Sequence, residues 1–140
     1  MKVLAAMIIG ETRYPFVPKS RRKLRVGQFW SMPVSGRHFA CGTILRLPGE
    51  VGSHQGRLLV VGIHKWLGKV RPTATDIAGR RIVAQGVLHV DAIRKNGGEV
   101  QGFRRLSVDD RKAVVGLEAL PKWSAEDLER VVVKAVRDLR

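Results

Sequence analysis

The chain has 140 residues, with 26 lysines and arginines against 12 aspartates and glutamates, a formal net charge of +14. A content of 44% hydrophobic and 27% charged residues, at a mean hydropathy of −0.08, suits one domain with a real core and excludes a disordered tail or a membrane-embedded chain. The single cysteine excludes an internal disulfide framework and a four-cysteine zinc site, and the simplest compartment is the cytoplasm.

The N-terminal segment Val3–Ile9 is apolar and is expected to form a first buried strand. It is too short to span a bilayer, and it lacks the longer apolar region and small-x-small cleavage site of a secretory signal. Tyr14-Pro15-Phe16-Val17-Pro18 is extended by its prolines. Next come five basic residues in seven, Lys19-Ser20-Arg21-Arg22-Lys23-Leu24-Arg25, a solvated loop or a phosphate-contacting patch. From Val26 to His89 the pattern is β. Phe29, Trp30, Met32 and Val34 make a short strand, and Ser35-Gly36 reads as a tight turn. In His38–Leu47, Phe39, Cys41, Thr43 and Leu45 alternate against His38, Ala40, Gly42, Ile44 and Arg46. Pro48–Gly56 is a loop by composition. Leu58–Trp66 is apolar on both faces, as a central strand should be. Pro72–Gly79 is a connection, and Ile82–Ile93 is expected to supply one or two strands around Gly86. Asn96-Gly97-Gly98 marks a turn, and Val100–Leu106 is expected as the last strand.

The remainder is helical. Ser107-Val108-Asp109-Asp110 caps a short helix toward Leu120, weakened at Gly116, and Pro121-Lys122-Trp123 breaks it. Ser124-Ala125-Glu126-Asp127 starts a second helix. Its residues Leu128, Val131, Val132, Ala135, Val136 and Leu139 form one apolar stripe, so it should pack on the sheet. The expected architecture is a single α+β domain: a twisted antiparallel β-sheet or partly open small barrel over residues 1–106, with a C-terminal helix pair (107–140) packed on it.

Charge follows the same division. Residues 1–105 hold 19 basic and 5 acidic side chains (Glu11, Glu50, Asp76, Asp91, Glu99), whereas residues 106–140 hold seven of each, so the entire excess lies on the β portion. A field of that sign attracts nucleic acid or an acidic protein surface.

At Arg25–Leu45 the chain resembles the opening of immunity protein family 26 of bacterial polymorphic toxin systems. Gly27, Phe29, Met32, Pro33, Val34, Gly36, Phe39, Gly42, Ile44 and Leu45 fit its scheme of a glycine, an aromatic, an apolar-Pro-apolar element, a glycine turn and an apolar strand. Ile82–Leu106 resembles a later part, a strand pair ending in Val100-Gln101-Gly102-Phe103-Arg104-Arg105-Leu106. Gln28 stands where the family commonly has an acidic residue, and Glu99 where it has an aromatic. The resemblance implies a mostly β protein that neutralises a toxin or effector by occlusion, without catalysis of its own. Inhibitors of nucleases tend to be acidic because they cover a basic active site. A chain at +14 therefore implies a target that is acidic on its docking face, or a scaffold reused for nucleic acid.

Catalytic patterns are sparse. Cys41 alternates with Phe39 and Thr43 and reads as a core residue. His38, His54, His64 and His89 lack metal-ligand spacing, and His64 and His89 read as partly buried structural residues. Asp76, Asp91 and Glu99 are too few for a metal-dependent nuclease, and no phosphate-cradling glycine loop is present. Neither a metal nor a cofactor is expected. The basic residues expected to meet a partner are Arg21, Arg22, Lys23, Arg25, Lys65, Lys69, Arg71, Arg80, Arg81, Arg94, Lys95, Arg104 and Arg105. Trp30 and Trp66 are candidate aromatic contacts, with core packing as their alternative. Two partner classes follow: an acidic protein surface, or nucleic acid held through its phosphates by a small-barrel module. No membrane is implied, and the sequence leaves the oligomeric state open.

Overall fold

The computed structural model describes residues 12–34, 37–49, 55–112 and 117–139. Val3–Ile9, the Ser35-Gly36 turn, His54 and Gly116 lie outside the described residues. Six strands form one open sheet, β1 (Gln28–Val34), β2 (His38–Arg46), β3 (Leu58–Gly68), β4 (Ile82–His89), β5 (Glu99–Phe103) and β6 (Lys122–Trp123), in the order β5-β1-β2-β3-β4-β6. All neighbours are antiparallel except β4 and β6, so the sheet is mixed and does not close into a barrel. Among the described residues four short or medium α-helices accompany it: α1 (Ala74–Ile77), α2 (Asp91–Lys95), α3 (Val108–Lys112) and α4 (Ala125–Val136).

Burial on both faces explains the apolar run of β3. On one face Trp30, Met32, Ile44, Leu59, Val61, Ile63 and Leu88 pack with Trp123 and with Leu128 and Val132 of α4. The opposite face carries Phe29, Cys41 and Trp66 against Ile77 of α1, and Leu45, Val60 and Val87 against Leu106, just before α3. The two C-terminal helices thus serve different faces. Helix α4 begins with a reciprocal capping box between Ser124 and Asp127, which satisfies two of the otherwise orphan N–H groups.

Four local expectations are refined. Ile82–Ile93 gives one strand followed by helix α2, because Val90 leaves the ladder and Asp91, Arg94 and Lys95 place charges suited to the two helix poles. Pro72–Gly79 contains α1, started by a Thr73–Asp76 capping box. Pro121-Lys122-Trp123 is more than a breaker: Lys122–Trp123 pairs parallel with Val87–Leu88 and makes the sixth strand. Val100–Leu106 is strand only as far as Phe103.

The two stretches that carry the family resemblance meet in space. Gln28 lies opposite Phe103 and Phe29 opposite Gly102. Gly27, at φ +99°, lies where an added Cβ would fall 2.7 Å from the Arg104 carbonyl oxygen and 2.8 Å from the Phe103 ring. Gly42 lies under the Trp30 ring, with an added Cβ only 2.3 Å from it. Both positions require glycine for close approach. Gln28 is fully buried; its Oε1 accepts from the Arg25 N–H (2.8 Å), and its Nε2 donates to the Lys23 carbonyl (3.1 Å) and the Tyr14 hydroxyl (3.2 Å). A carboxylate there would lose both donations, which accounts for an amide at this position.

Strand directions define two ends of the sheet. At the near end β1 and β3 begin and β2, β4 and β5 finish; at the far end the reverse holds. Ten steps along β3 separate them by about 33 Å.

Candidate partner-binding surface

The thirteen cations read from the sequence do not form one patch. Arg21, Arg22, Lys23, Arg25 and Arg105 flank strands at the near end, and Lys65, Lys69, Arg71, Arg80, Arg81 and Lys95 flank strands at the far end. Arg94 lies on the helix that runs between the two ends. Arg104 begins at the near end, its N–H donating to the Gly27 carbonyl (2.9 Å), but its side chain meets Asp110 of α3 across the face of the sheet.

Arg21 is a correction. It is buried, and its guanidinium donates to the carbonyls of Pro48, Gly49 (2.9 Å), Gln55 (3.2 Å) and Leu58 (3.5 Å). Five rigid donors make arginine the side chain able to bind several converging carbonyls at once. Arg21 therefore fastens the loop between β2 and β3 and is not presented to a partner. Trp30 and Trp66 are likewise withdrawn: both are buried, in clusters on opposite faces, so neither ring is a stacking platform.

Four more cations are engaged inside the molecule. Arg71 pairs with Glu99 at 3.2 Å, donates to the Ser31 hydroxyl and lies over the Phe39 ring, tying the segment after β3 to β5. Lys65 pairs with Asp138 at 3.0 Å, and its ammonium holds that carboxyl below the usual carboxylate range. Arg104 pairs with Asp110 at 3.7 Å, and Arg94 with Asp91 at 3.8 Å. Arg22, Lys23, Arg25, Lys69, Arg80, Arg81, Lys95 and Arg105 are exposed, with no carboxylate in ion-pair reach among the described residues.

The exposed cations stand beside exposed apolar side chains. At the near end the Arg25 guanidinium lies 5.1 Å from the centre of the Phe103 ring, which is 45% exposed, and Val26 beside it is also exposed. The pairing of Gly27 with Arg104 sets Arg25-Val26 alongside Phe103 and Arg105. At the far end Val70, 70% exposed, stands between Lys69 and Arg71. The position of Phe103 at the strand's end, under Arg25, comes from the β1–β5 register.

Behind the far end lies a buried polar pair. His64 Nε2 is 2.5 Å from the Thr43 hydroxyl, and Nδ1 is 2.8 Å from the Arg80 carbonyl oxygen. Nδ1–H donates to that carbonyl, leaving Nε2 to accept the hydroxyl proton. Burial pushes the imidazole below its ordinary range, so the neutral ring is the form the fold accommodates. Cys41 is fully buried, and burial pushes its thiol up, so the reactive thiolate is suppressed. Among the described residues no three or more His, Cys, Asp or Glu side chains gather to hold a metal ion. No helix among them is long and apolar enough to cross a membrane.

Compared with known proteins, the chain matches no family model, no curated protein and no solved structure.

Proposed function

We propose that this chain is a non-enzymatic binding protein that docks an acidic protein, a toxin or effector, and neutralises it by occlusion. The observation that carries this reading is the near-end patch of Lys23, Arg25, Val26, Phe103 and Arg105, where exposed cations interleave with exposed apolar side chains. Arginine with apolar and aromatic neighbours is the composition of protein interfaces. A surface that tracks a phosphate backbone needs cations and, for single strands, aromatic platforms. Trp30 and Trp66 are not available for that purpose. The resemblance to immunity proteins points the same way, and its two stretches converge on this patch through the β1–β5 pairing.

Nucleic-acid binding is the second reading, favoured by the eight candidate cations that are exposed and have no carboxylate partner among the described residues. The two are separated by expressing the product of the adjacent gene in a test host with and without this chain, and by titrating oligonucleotides across a salt series. The expected result is growth rescue that Arg25→Glu with Arg105→Glu abolishes while the unfolding temperature holds. Absence of rescue, together with oligonucleotide binding that falls steeply with salt, replaces the first reading with the second.

A further inference from the structure

A groove at the near end, on the β3–β4 side away from that patch, has the makings of a second site. It encloses about 370 Å³ and is lined by the 19–22 turn, the Gly56–Arg57 segment and the His89–Asp91 segment. That volume falls within the range of small-molecule clefts, about 300–1,000 Å³. Lys19, Arg22 and Arg57 are exposed on its walls, and none has a carboxylate in ion-pair reach among the described residues. Its one described carboxylate, Asp91, is already engaged by Arg94 at 3.8 Å.

Neutral donors complete the lining. His89 Nδ1 accepts the Asp91 N–H at 3.1 Å, so the neutral ring carries its proton on Nε2 and presents a donor there. Ser20 adds a hydroxyl. The wall is held in place from below, because Arg21, also in the lining, binds the carbonyls on both sides of the β2–β3 loop. A backbone wall fixed before a ligand arrives lowers the ordering cost of binding.

We propose that this groove binds a small phosphorylated molecule, with Arg22, Arg57 and Lys19 on the phosphate oxygens and His89 or Ser20 donating a further hydrogen bond. Three cations with no carboxylate in ion-pair reach among the described residues match a group carrying two or three negative charges. A single carboxylate would leave the groove strongly positive, and forked arginine donors suit a multi-oxygen anion. The site uses Lys19, Arg57 and His89, none of which belongs to the docking patch. It stands or falls independently of the protein-partner reading.

The test is calorimetric titration of the full chain with inorganic pyrophosphate in chloride buffer at constant ionic strength. Saturable binding is expected, weakened at least tenfold by Arg22→Glu with Arg57→Glu and changed less than twofold by Arg80→Glu with Arg81→Glu. If the first pair fails to fold, Lys19→Glu alone should still weaken binding several-fold. Absence of saturable binding overturns the proposal, as does equal weakening by both arginine pairs, which would mark a diffuse field. A glutamate-rich peptide that binds more tightly than pyrophosphate and competes with it would also overturn it, in favour of a carboxylate site. Loss of growth rescue with pyrophosphate binding intact removes only the toxin reading.

Discussion

The two ends of the sheet carry comparable numbers of candidate cations yet present different surfaces, because among the described residues carboxylates pair with candidate cations of the far end and not with those of the near end. At the far end Glu99 meets Arg71 and Asp138 meets Lys65. The groove of about 340 Å³ lined by Arg80, Arg81 and Arg104 also contains Asp109 and Asp110, with Arg104 and Asp110 paired. At the near end Asp91 is held by Arg94, and Glu126 and Asp127 begin α4, where Arg130 holds Asp127. The charge-balanced C-terminal third thus spends part of its acid on the far end of the basic portion. Where carboxylates land, more than how many cations the chain owns, decides which of the cations at each end remain uncancelled for a partner.

That contrast has consequences that mutation can break. The largest effect should follow loss of Arg21, the near-end cation turned inward. Arg21→Met leaves the buried Pro48 carbonyl and three part-buried carbonyls without their donor and is expected to cost about 2–3 kcal/mol, read as a lowered urea midpoint. Arg22→Ala, its exposed neighbour, should stay within about 0.5 kcal/mol. Equal effects from the two would mean that Arg21 is no more structural than the rest of the basic run.

A smaller difference is expected within the Arg104-Arg105 pair. Arg104→Glu sets a second carboxylate against Asp110, which is nearly buried, and should cost about 1–2 kcal/mol. Arg105→Glu should leave stability unchanged and act only on partner binding. If both variants unfold at the wild-type midpoint, the far-end groove is less tightly self-neutralised than the Arg104–Asp110 contact implies.

The smallest effect is the pH response of His64, behind the far-end groove. Its folded pKa lies below its ordinary value of 6.5, so between the two values the unfolded chain binds the extra proton and the folded chain resists it. Stability is therefore full above about pH 6.5 and declines as pH falls through the folded pKa. The urea midpoint should drop on acidification, and His64→Gln should flatten that slope near pH 6. An unchanged slope would place the acid sensitivity on other groups.

Much of the scaffold was legible in the sequence. The apolar stripe of Leu128, Val132 and Val136 and the cap at Ser124 specify α4 through local periodicity alone. The two-faced apolar run of β3 announces a central strand for the same reason. Lys122–Trp123 was not legible as a strand, because two residues carry no period and their pairing depends on where Val87 and Leu88 lie. The candidate surface was less readable than the fold. Arg21, Arg22 and Lys23 are indistinguishable as letters in a basic run, yet only the first finds four carbonyls. Lys19, Arg57 and His89, distant in sequence, gave no joint signal before folding gathered them.

The sequence by itself determined the sign of the field, its confinement to residues 1–105 and the alternation that makes strands and stripes, because these are local properties of the chain. Only the tertiary structure decided which arginines face outward, which carboxylates cancel them and which tryptophans are withdrawn, because ion pairing and burial depend on side chains brought together from distant positions. The +14 charge thus belongs to the sequence, and its division between the two ends of an open sheet belongs to the fold.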